Sequence, residues 1–184
     1  MTDLSHRLTF RTQSRGVTLI ELMITLVVLA ILLGIAVPSL TQFMTSTRLT
    51  RQINELITDI SLARNTAGTR GTNVSICIAA SATACATSGT AWEAGRIIFT
   101  DSNSNGTINT GETLIKYIPA LDGGTNLTSS SFSNSWYITF RPFGGLTSIA
   151  GGDFTLCSPG NTTGRKINVA ATGRPVASKI TTCP

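Results

Sequence analysis

One loop of the sequence has the residue spacing of a calcium-binding loop. Residues 101–112 read DSNSNGTINTGE, and the positions that match an EF-hand loop are Asp101, Asn103, Asn105, Gly106 and Glu112. The flanking segments GRIIFT (95–100) and TLIKYIP (113–119) have the composition of strands, whereas an EF-hand lies between helices. Asn, Asp and Gly are also the residues that tight turns prefer. We therefore predict a β-hairpin turn with no metal, and weak calcium binding is the alternative.

Nucleophilic catalysis is disfavoured by the scarcity of histidine. The sequence contains a single histidine, His6, which lies ahead of a long apolar segment. A Ser–His or Cys–His pair needs a histidine beside the nucleophile. The carboxylates of the remaining chain form no recognisable catalytic motif, and no glycine-rich phosphate-binding loop with its Lys and Ser/Thr is present. The sequence therefore predicts a protein that is not an enzyme and that needs no cofactor.

Positive charge is concentrated in the last third of the chain. Acidic and basic residues balance between Arg48 and Ser131, whereas from Phe132 onward the only acid is Asp153. A basic surface can bind the phosphates of DNA, and it can equally be a solvated surface or a contact with another protein. The sequence leaves these alternatives open. The candidate DNA-binding residues are Arg165, Lys166, Arg174 and Lys179.

An apolar segment near the start of the sequence could cross a membrane. A helix over residues 17–37 would be about as long as the ~30 Å hydrocarbon layer of a bilayer. It is too long for a secretory signal peptide, and no small-residue cleavage site follows it. It contains one carboxylate, Glu21, which costs roughly 2.5–3.5 kcal/mol within a span unless it has a partner or reaches the interface. The positive-inside rule predicts a cytoplasmic N-terminus, because three arginines precede the span: Arg7, Arg11 and Arg15.

The start of the apolar segment resembles a processed leader. Gly16 followed by VTLIE is similar to the class III signal of type IV pilins and of type II secretion pseudopilins, with Val17 where the family usually has Phe. The resemblance implies that a prepilin peptidase removes residues 1–16 and methylates the new N-terminus. It also implies that Glu21 is an assembly residue, which pairs with the terminal amine of a neighbouring subunit, since a buried charge is tolerated when it has a partner.

Apolar spacing predicts one long helix over residues 17–70. After the span, from Leu49 to Ala67, apolar residues recur three and four positions apart, which is typical of an amphipathic helix. Gly34 and Pro38 are expected to kink or loosen the helix, because proline lacks an amide proton and clashes with the preceding turn. The charged residues expected off the apolar face are Arg48, Arg51, Glu55, Asp59 and Arg64.

Residues 71–184 are predicted to form a β-rich globular domain. Beyond Gly71 apolar residues alternate with polar ones, starting at Val74. A long helix on an antiparallel β-sheet is an α+β architecture. The part of the chain that follows the span is long enough to form one hydrophobic core. The predicted strands lie within 74–79, 95–100, 113–119, 136–142, 153–158 and 166–171.

Four cysteines follow the span, on the side that the charge rule places outside the cytoplasm, where thiols oxidise. Three pairings are possible, and we favour Cys77 with Cys85 and Cys157 with Cys183 because each pairing closes a local loop. A zinc site is disfavoured, because no two cysteines have metal-ligand spacing and no histidine remains after leader removal.

The order of the segments, with FRPFG (140–144) late in the chain, resembles the FimT/GspH branch of minor pilins and pseudopilins. The resemblance implies a pilin-like fold and a structural subunit at the initiation complex or tip of a type IV pilus. A type II secretion minor pseudopilin of the H type is the alternative. The implied partners are other pilins or pseudopilins and the prepilin peptidase. The implied location is the bacterial inner membrane, with one span and a periplasmic C-terminal domain, and then the pilus or pseudopilus.

DNA uptake is a further alternative that the resemblance raises. Some FimT-like minor pilins take up DNA through a C-terminal Gly-Arg-x-Arg motif. The matching positions here read Gly173, Arg174, Pro175 and Val176, so the second arginine is absent. A DNA receptor subunit in natural transformation therefore remains an alternative, and Arg174 is its central residue.

Overall fold

The computed structural model of the chain describes residues 16–183. Within this range one long helix is followed by a short 3-10 helix at Trp92–Ala94 and by eight strands. The bounds are α1 Leu19–Arg70, β1 Val74–Ile78, β2 Arg96–Thr100, β3 Leu114–Ile118, β4 Asn126–Ser130, β5 Tyr137–Phe140, β6 Gly152–Cys157, β7 Gly164–Val169 and β8 Pro175–Ile180. A long N-terminal apolar helix with antiparallel sheets confirms the predicted α+β class.

The chain divides into two compact units, of which the structure describes residues 16–43 and 44–183. In the first, every large apolar side chain that the structure describes between Val17 and Phe43 is at least half exposed. The helix is long and apolar enough to cross a membrane. α1 continues through Gly34 and Pro38 as one helix, and the kink expected there stays a prediction.

The second unit contains the C-terminal part of α1, whose apolar face is buried as predicted. Leu49, Ile53, Leu56, Ile60, Ala63 and Ala67 are each at most 3% exposed. The helix ends at Arg70, and the next residue, Gly71, has φ of +63°, the left-handed conformation in which glycine often terminates a helix. One prediction for this segment is wrong, because Asp59, expected on the solvated face, is fully buried.

Asp59 is buried because two cations from the sheet reach it. Its Oδ2 accepts a hydrogen bond from Arg96 Nη2 of β2 at 2.9 Å, and its Oδ1 accepts one from Lys116 Nζ of β3 at 2.7 Å. The Arg96 side chain is also fully buried, whereas that of Lys116 is 38% exposed. These ion pairs join α1 to two neighbouring strands across the core.

The strands form two antiparallel four-stranded sheets, in the orders β3-β2-β1-β5 and β4-β6-β7-β8. β4 and β8 were not predicted from the sequence. β4 buries one apolar side chain, Leu127, and β8 has no buried residue, so neither shows a regular alternation. β8 starts with a proline at the edge of its sheet, which is one of the places where a strand tolerates proline.

One hydrophobic cluster joins α1 to strands of both sheets. Trp92 is fully buried in it, donates its indole N–H to the Ser135 carbonyl at 2.8 Å, and contacts Phe154 edge to face. The expected alternation along β1 is wrong, because all five of its residues are buried. β1 lies between two strands. Its second face contributes Cys77 to a smaller buried cluster with Ile97 and Phe99 of β2, and Ile108 and Tyr137 pack against this cluster.

Two disulfides are present, Cys77–Cys85 and Cys157–Cys183, which is the local pairing favoured from the sequence. The second bond holds the segment after β8 against the end of β6. Gly164 of β7 lies beneath this bond, where a Cβ atom would come within 2.7 Å of Cys183 Sγ and 2.6 Å of the Leu156 carbonyl oxygen.

Candidate functional site

The calcium-like loop forms the turn between β2 and β3, which pair as antiparallel strands. Asp101 is fully buried, and its Oδ2 accepts hydrogen bonds from Ser75 Oγ at 2.6 Å and from the Gly106 amide at 2.9 Å. Glu112 accepts hydrogen bonds from the amides of Ser102 and Asn109. The loop carboxylates therefore organise the turn, in agreement with the hairpin interpretation.

Two of the three asparagines of this loop, Asn103 and Asn105, also organise the turn. Asn103 Oδ1 accepts a hydrogen bond from the Asn105 amide, and Asn105 Oδ1 accepts one from the Thr107 amide. Across residues 16–183, no three His, Cys, Asp or Glu side chains cluster so that they could hold a metal ion.

The ring of Tyr137 lies against Gly106 of this loop. Burial, and then the negative charge of Asp101, raise the pKa of the Tyr137 hydroxyl above its ordinary value.

The candidate DNA-binding residues are divided between two faces and two ends of the β7–β8 hairpin. Arg165 and Lys179 are directly opposed in the antiparallel register, so their side chains share one face. Arg165 Nη2 donates hydrogen bonds to Thr50 Oγ1 at 3.2 Å and Ser46 Oγ at 3.4 Å, both on α1. These two cations therefore lie together beside the helix.

Lys166 lies on the opposite face of the same strand. It forms an ion pair with Asp153 at 3.1 Å, and Asn168 donates a hydrogen bond to the same carboxyl at 2.9 Å. Burial raises the pKa of the Asp153 carboxyl, but the hydrogen bonds from Asn168 and Lys166 and the charge of Lys166 outweigh burial, so the pKa lies below its ordinary value. Lys166 is thus neutralised locally and does not join the other candidates.

Arg174 lies in the turn between β7 and β8, at the end of the hairpin opposite to Arg165 and Lys179. The preceding Gly173 is buried, has φ of +76°, and places its Cα beside the carbonyl oxygen of Gly144. The Leu146 amide also donates a hydrogen bond to the Ala171 carbonyl at 2.9 Å. The turn therefore packs against the loop that follows β5.

Two further arginines donate hydrogen bonds to the loop against which this turn packs, and sequence reasoning did not single them out. Arg64 of α1 donates its Nε–H to the Gly144 carbonyl at 3.0 Å, and Arg141 Nη2 donates to the Thr147 carbonyl at 2.8 Å. Phe143, in the same loop, is 96% exposed. No acid within residues 16–183 forms an ion pair with Arg64, Arg141 or Arg174. We call these four residues the turn cluster: Arg64, Arg141, Phe143 and Arg174.

The leader motif meets the described chain at Gly16, and the first turn of α1 contains Glu21. Glu21 is exposed, and its amide donates to Thr18 Oγ1 at 3.3 Å, an N-terminal capping contact. No ion pair is formed by the Glu21 carboxylate within the described part of the chain. It lies among exposed apolar residues, and within residues 16–183 its charge is therefore open to a partner from another molecule or to water.

Comparison with known proteins gives a family and a fold. The profile of a family described as type II transport protein GspH matches residues 52–173, and that of the prokaryotic N-terminal methylation motif matches residues 11–37. No curated protein matches the sequence.

Two crystal forms of the type IV minor pilin FimU of Pseudomonas aeruginosa have similar structures, with TM-scores of 0.59 and 0.54 at 20% identity. The similarity covers 77% and 74% of this chain and 99% and 100% of those chains. Identity at this level shows a shared fold.

Proposed function

The chain belongs to the GspH family of pilin-like proteins, and from that premise we propose that it is a minor pilin, a structural and non-catalytic subunit of a type IV pilus initiation complex or tip. Before assembly it is held in the inner membrane by its first helical unit, with the β-rich domain in the periplasm. The prepilin peptidase cuts after Gly16 and methylates Val17.

The observation that carries this proposal is the exposed apolar part of α1 with one carboxylate in its first turn. Large apolar side chains that are half exposed or more along residues 17–43 require either lipid or the helices of other subunits. Glu21 then has a defined task, because cleavage creates a positive amine on Val17 that can pair with the carboxylate of an adjacent subunit. In an apolar filament core, an unpaired charge costs several kcal/mol.

Glu21→Ala is expected to leave the protein inserted and processed, and to reduce its incorporation into filaments by at least about tenfold, because the neighbouring amine loses its partner. Incorporation is measured by immunoblot of sheared pili against the membrane fraction. Thr25→Ala, one helical turn further along, is the matched control, since Thr25 Oγ1 bonds only the Leu22 carbonyl of its own helix. Wild-type incorporation of the Glu21 variant would exclude the assembly role.

The family match also favours a second machine, because its description is that of a type II transport protein. A pseudopilin of the H type would have the same leader, helix and domain. Deletion of the gene distinguishes the two functions: a minor pilin is required for surface pili, whereas a pseudopilin is required for release of secreted proteins. Normal piliation together with lost secretion would replace the pilus proposal with the pseudopilus alternative.

The turn cluster favours DNA binding as a second candidate function. Three guanidinium groups that form no ion pair within residues 16–183 can contact phosphates, and the exposed ring of Phe143 can stack on a base. Arg64 and Arg141 add positive charge at the loop against which the Arg174 turn packs, and the sequence lacks the second arginine of the uptake motif.

We expect DNA affinity to fall steeply with salt, and Arg174→Ala or Arg141→Ala to reduce the salt slope by about one. Titration of a duplex oligonucleotide at two salt concentrations measures both quantities. Lys166→Ala is the control, because that lysine is paired with Asp153 on another face. Absence of salt-sensitive binding, or an equal loss in the control, would exclude DNA binding at the turn cluster.

A further inference from the structure

Three cations lie at one level of α1, near the start of the second unit; one belongs to the helix and two belong to the β7–β8 hairpin. We call Arg48, Arg165 and Lys179 the basic collar. Arg165 reaches Ser46 and Thr50, and Arg48 lies between those two positions in the sequence. Residues 46–50 cover about 6 Å of helix axis. Because Arg48 is two residues from Ser46, it projects from a different side of the helix, so the cations flank α1 on two sides.

The collar has no acidic partner. No carboxylate in residues 16–183 forms an ion pair with any of its three members. The carboxylate of Asp122, whose neighbour Gly123 lies against Arg48, accepts hydrogen bonds from Arg51 and Gln52. Arg48 Nη2 contacts Ser158 Oγ at 3.5 Å, its guanidinium lies against Gly123, and its buried Nε has no hydrogen-bond partner within residues 16–183. The collar is therefore a group of positive charges without an ion-pair partner in the described chain, half-buried at Arg48 and exposed at Lys179.

In the sequence, the collar residue Arg48 directly follows the uncharged stretch that contains the proposed membrane span. Residues 22–47 contain no charged side chain, and Arg48 is the first charge after Glu21. As a helix this uncharged stretch is about 39 Å long, which exceeds the ~30 Å hydrocarbon layer and approaches the ~40–45 Å of a bilayer with its headgroups. For a span that begins near Glu21, Arg48 is therefore the first charged residue that the sequence offers to the headgroups of the far leaflet.

We propose that the basic collar binds the headgroups of anionic phospholipids in the leaflet from which the domain emerges, and so holds the domain at the membrane surface before assembly. The proposal rests on the membrane anchoring proposed above. Cationic side chains near an anionic surface each contribute to binding, and screening by salt weakens the attraction. Pairing with lipid phosphates would also satisfy charges that the folded domain leaves unpaired.

The test uses the full chain reconstituted in phosphatidylcholine bilayers, with spin-labelled phosphatidylglycerol or phosphatidylcholine as the probe. Electron spin resonance gives the relative affinity of the protein for the two lipids. We expect a preference for phosphatidylglycerol that falls with salt, and a decrease of about three- to fivefold in Lys179→Gln. Arg165→Gln should act in the same direction. Lys166→Gln is matched in charge and adjacent in sequence, and it should keep the preference.

Equal affinity for the two lipids, or equal loss in Lys166→Gln, would overturn the proposal. Resistance to carbonate extraction is measured on the same samples. Loss of insertion would contradict the anchoring itself, whereas insertion without lipid preference contradicts the collar alone. The same variants are also titrated with a duplex oligonucleotide. If Lys179→Gln weakens DNA binding and leaves lipid affinity unchanged, the collar is a DNA contact and the lipid proposal is wrong.

Discussion

Asp59→Ala is expected to lower the free energy of unfolding of the domain by about 3–5 kcal/mol. The Asp59 carboxylate forms ion pairs with two cations, and one of them, Arg96, is fully buried. Arg96 Nε and Nη1 have no hydrogen-bond partner in the described chain, so the contact from Nη2 to Asp59 compensates its charge. Removal of the carboxylate leaves a guanidinium in the core without a counter-ion.

Urea denaturation of the chain from Met44 onward, followed by the fluorescence of buried Trp92, measures this loss. Lys116→Ala is the control, because Lys116 is 38% exposed at the side chain and its ion pair should contribute less than about 1 kcal/mol. The double variant Asp59→Leu, Arg96→Met should recover most of the stability, since an apolar pair can replace a buried ion pair. An Asp59→Ala cost no larger than that of Lys116→Ala would contradict this account.

Gly173→Ala is expected to cost about 2–4 kcal/mol through two separate effects. The φ of +76° is a left-handed conformation that alanine adopts only with strain. A Cβ atom would also collide with the backbone carbonyl oxygen of Gly144, which cannot turn aside as a side chain can. The β7–β8 turn would therefore lose its packing contact with the loop after β5.

Gly160→Ala separates the two effects. Gly160 has φ of +72°, close to that of Gly173, but nothing lies within 4 Å of the Cβ position. It should therefore show only the conformational strain, about 1–2 kcal/mol. Denaturation of the two variants under identical conditions gives the contribution of the collision as a difference. Equal destabilisation would mean that the turn moves freely away from Gly144 and that the contact is unimportant for stability.

The helix and most strands could be predicted because their signals are local. The spacing from Leu49 to Ala67 defines one buried face, and Gly71 marks the end of the helix. Asp59 was misplaced because its type predicts solvent, while the burial depends on Arg96, which is 37 residues away in sequence and adjacent only in the fold. Local periodicity contains no information about such a partner.

The grouping of the basic residues also depended on tertiary structure. Their charge was evident from composition, but a strand register decides whether Arg165 shares a face with Lys179 or with Lys166. Arg64 lies in a helix far from the loop after β5 in sequence, and only the folded chain brings it to Gly144, against which Gly173 packs. The leader motif needed no such information, because its residues are contiguous.

The last strand, β8, has a consequence for how this protein can evolve. None of its residues is buried, and β7 is its only neighbouring strand in the sheet, so substitutions at Val176, Ala177 or Ser178 remove no core contact. Large-to-small changes in a core cost several kcal/mol, whereas surface changes usually cost less than about 0.5 kcal/mol. The sequence of this edge can therefore diverge rapidly between related subunits while selection preserves the helix and the core. A gene duplication would yield subunits with one shared scaffold and different outer edges.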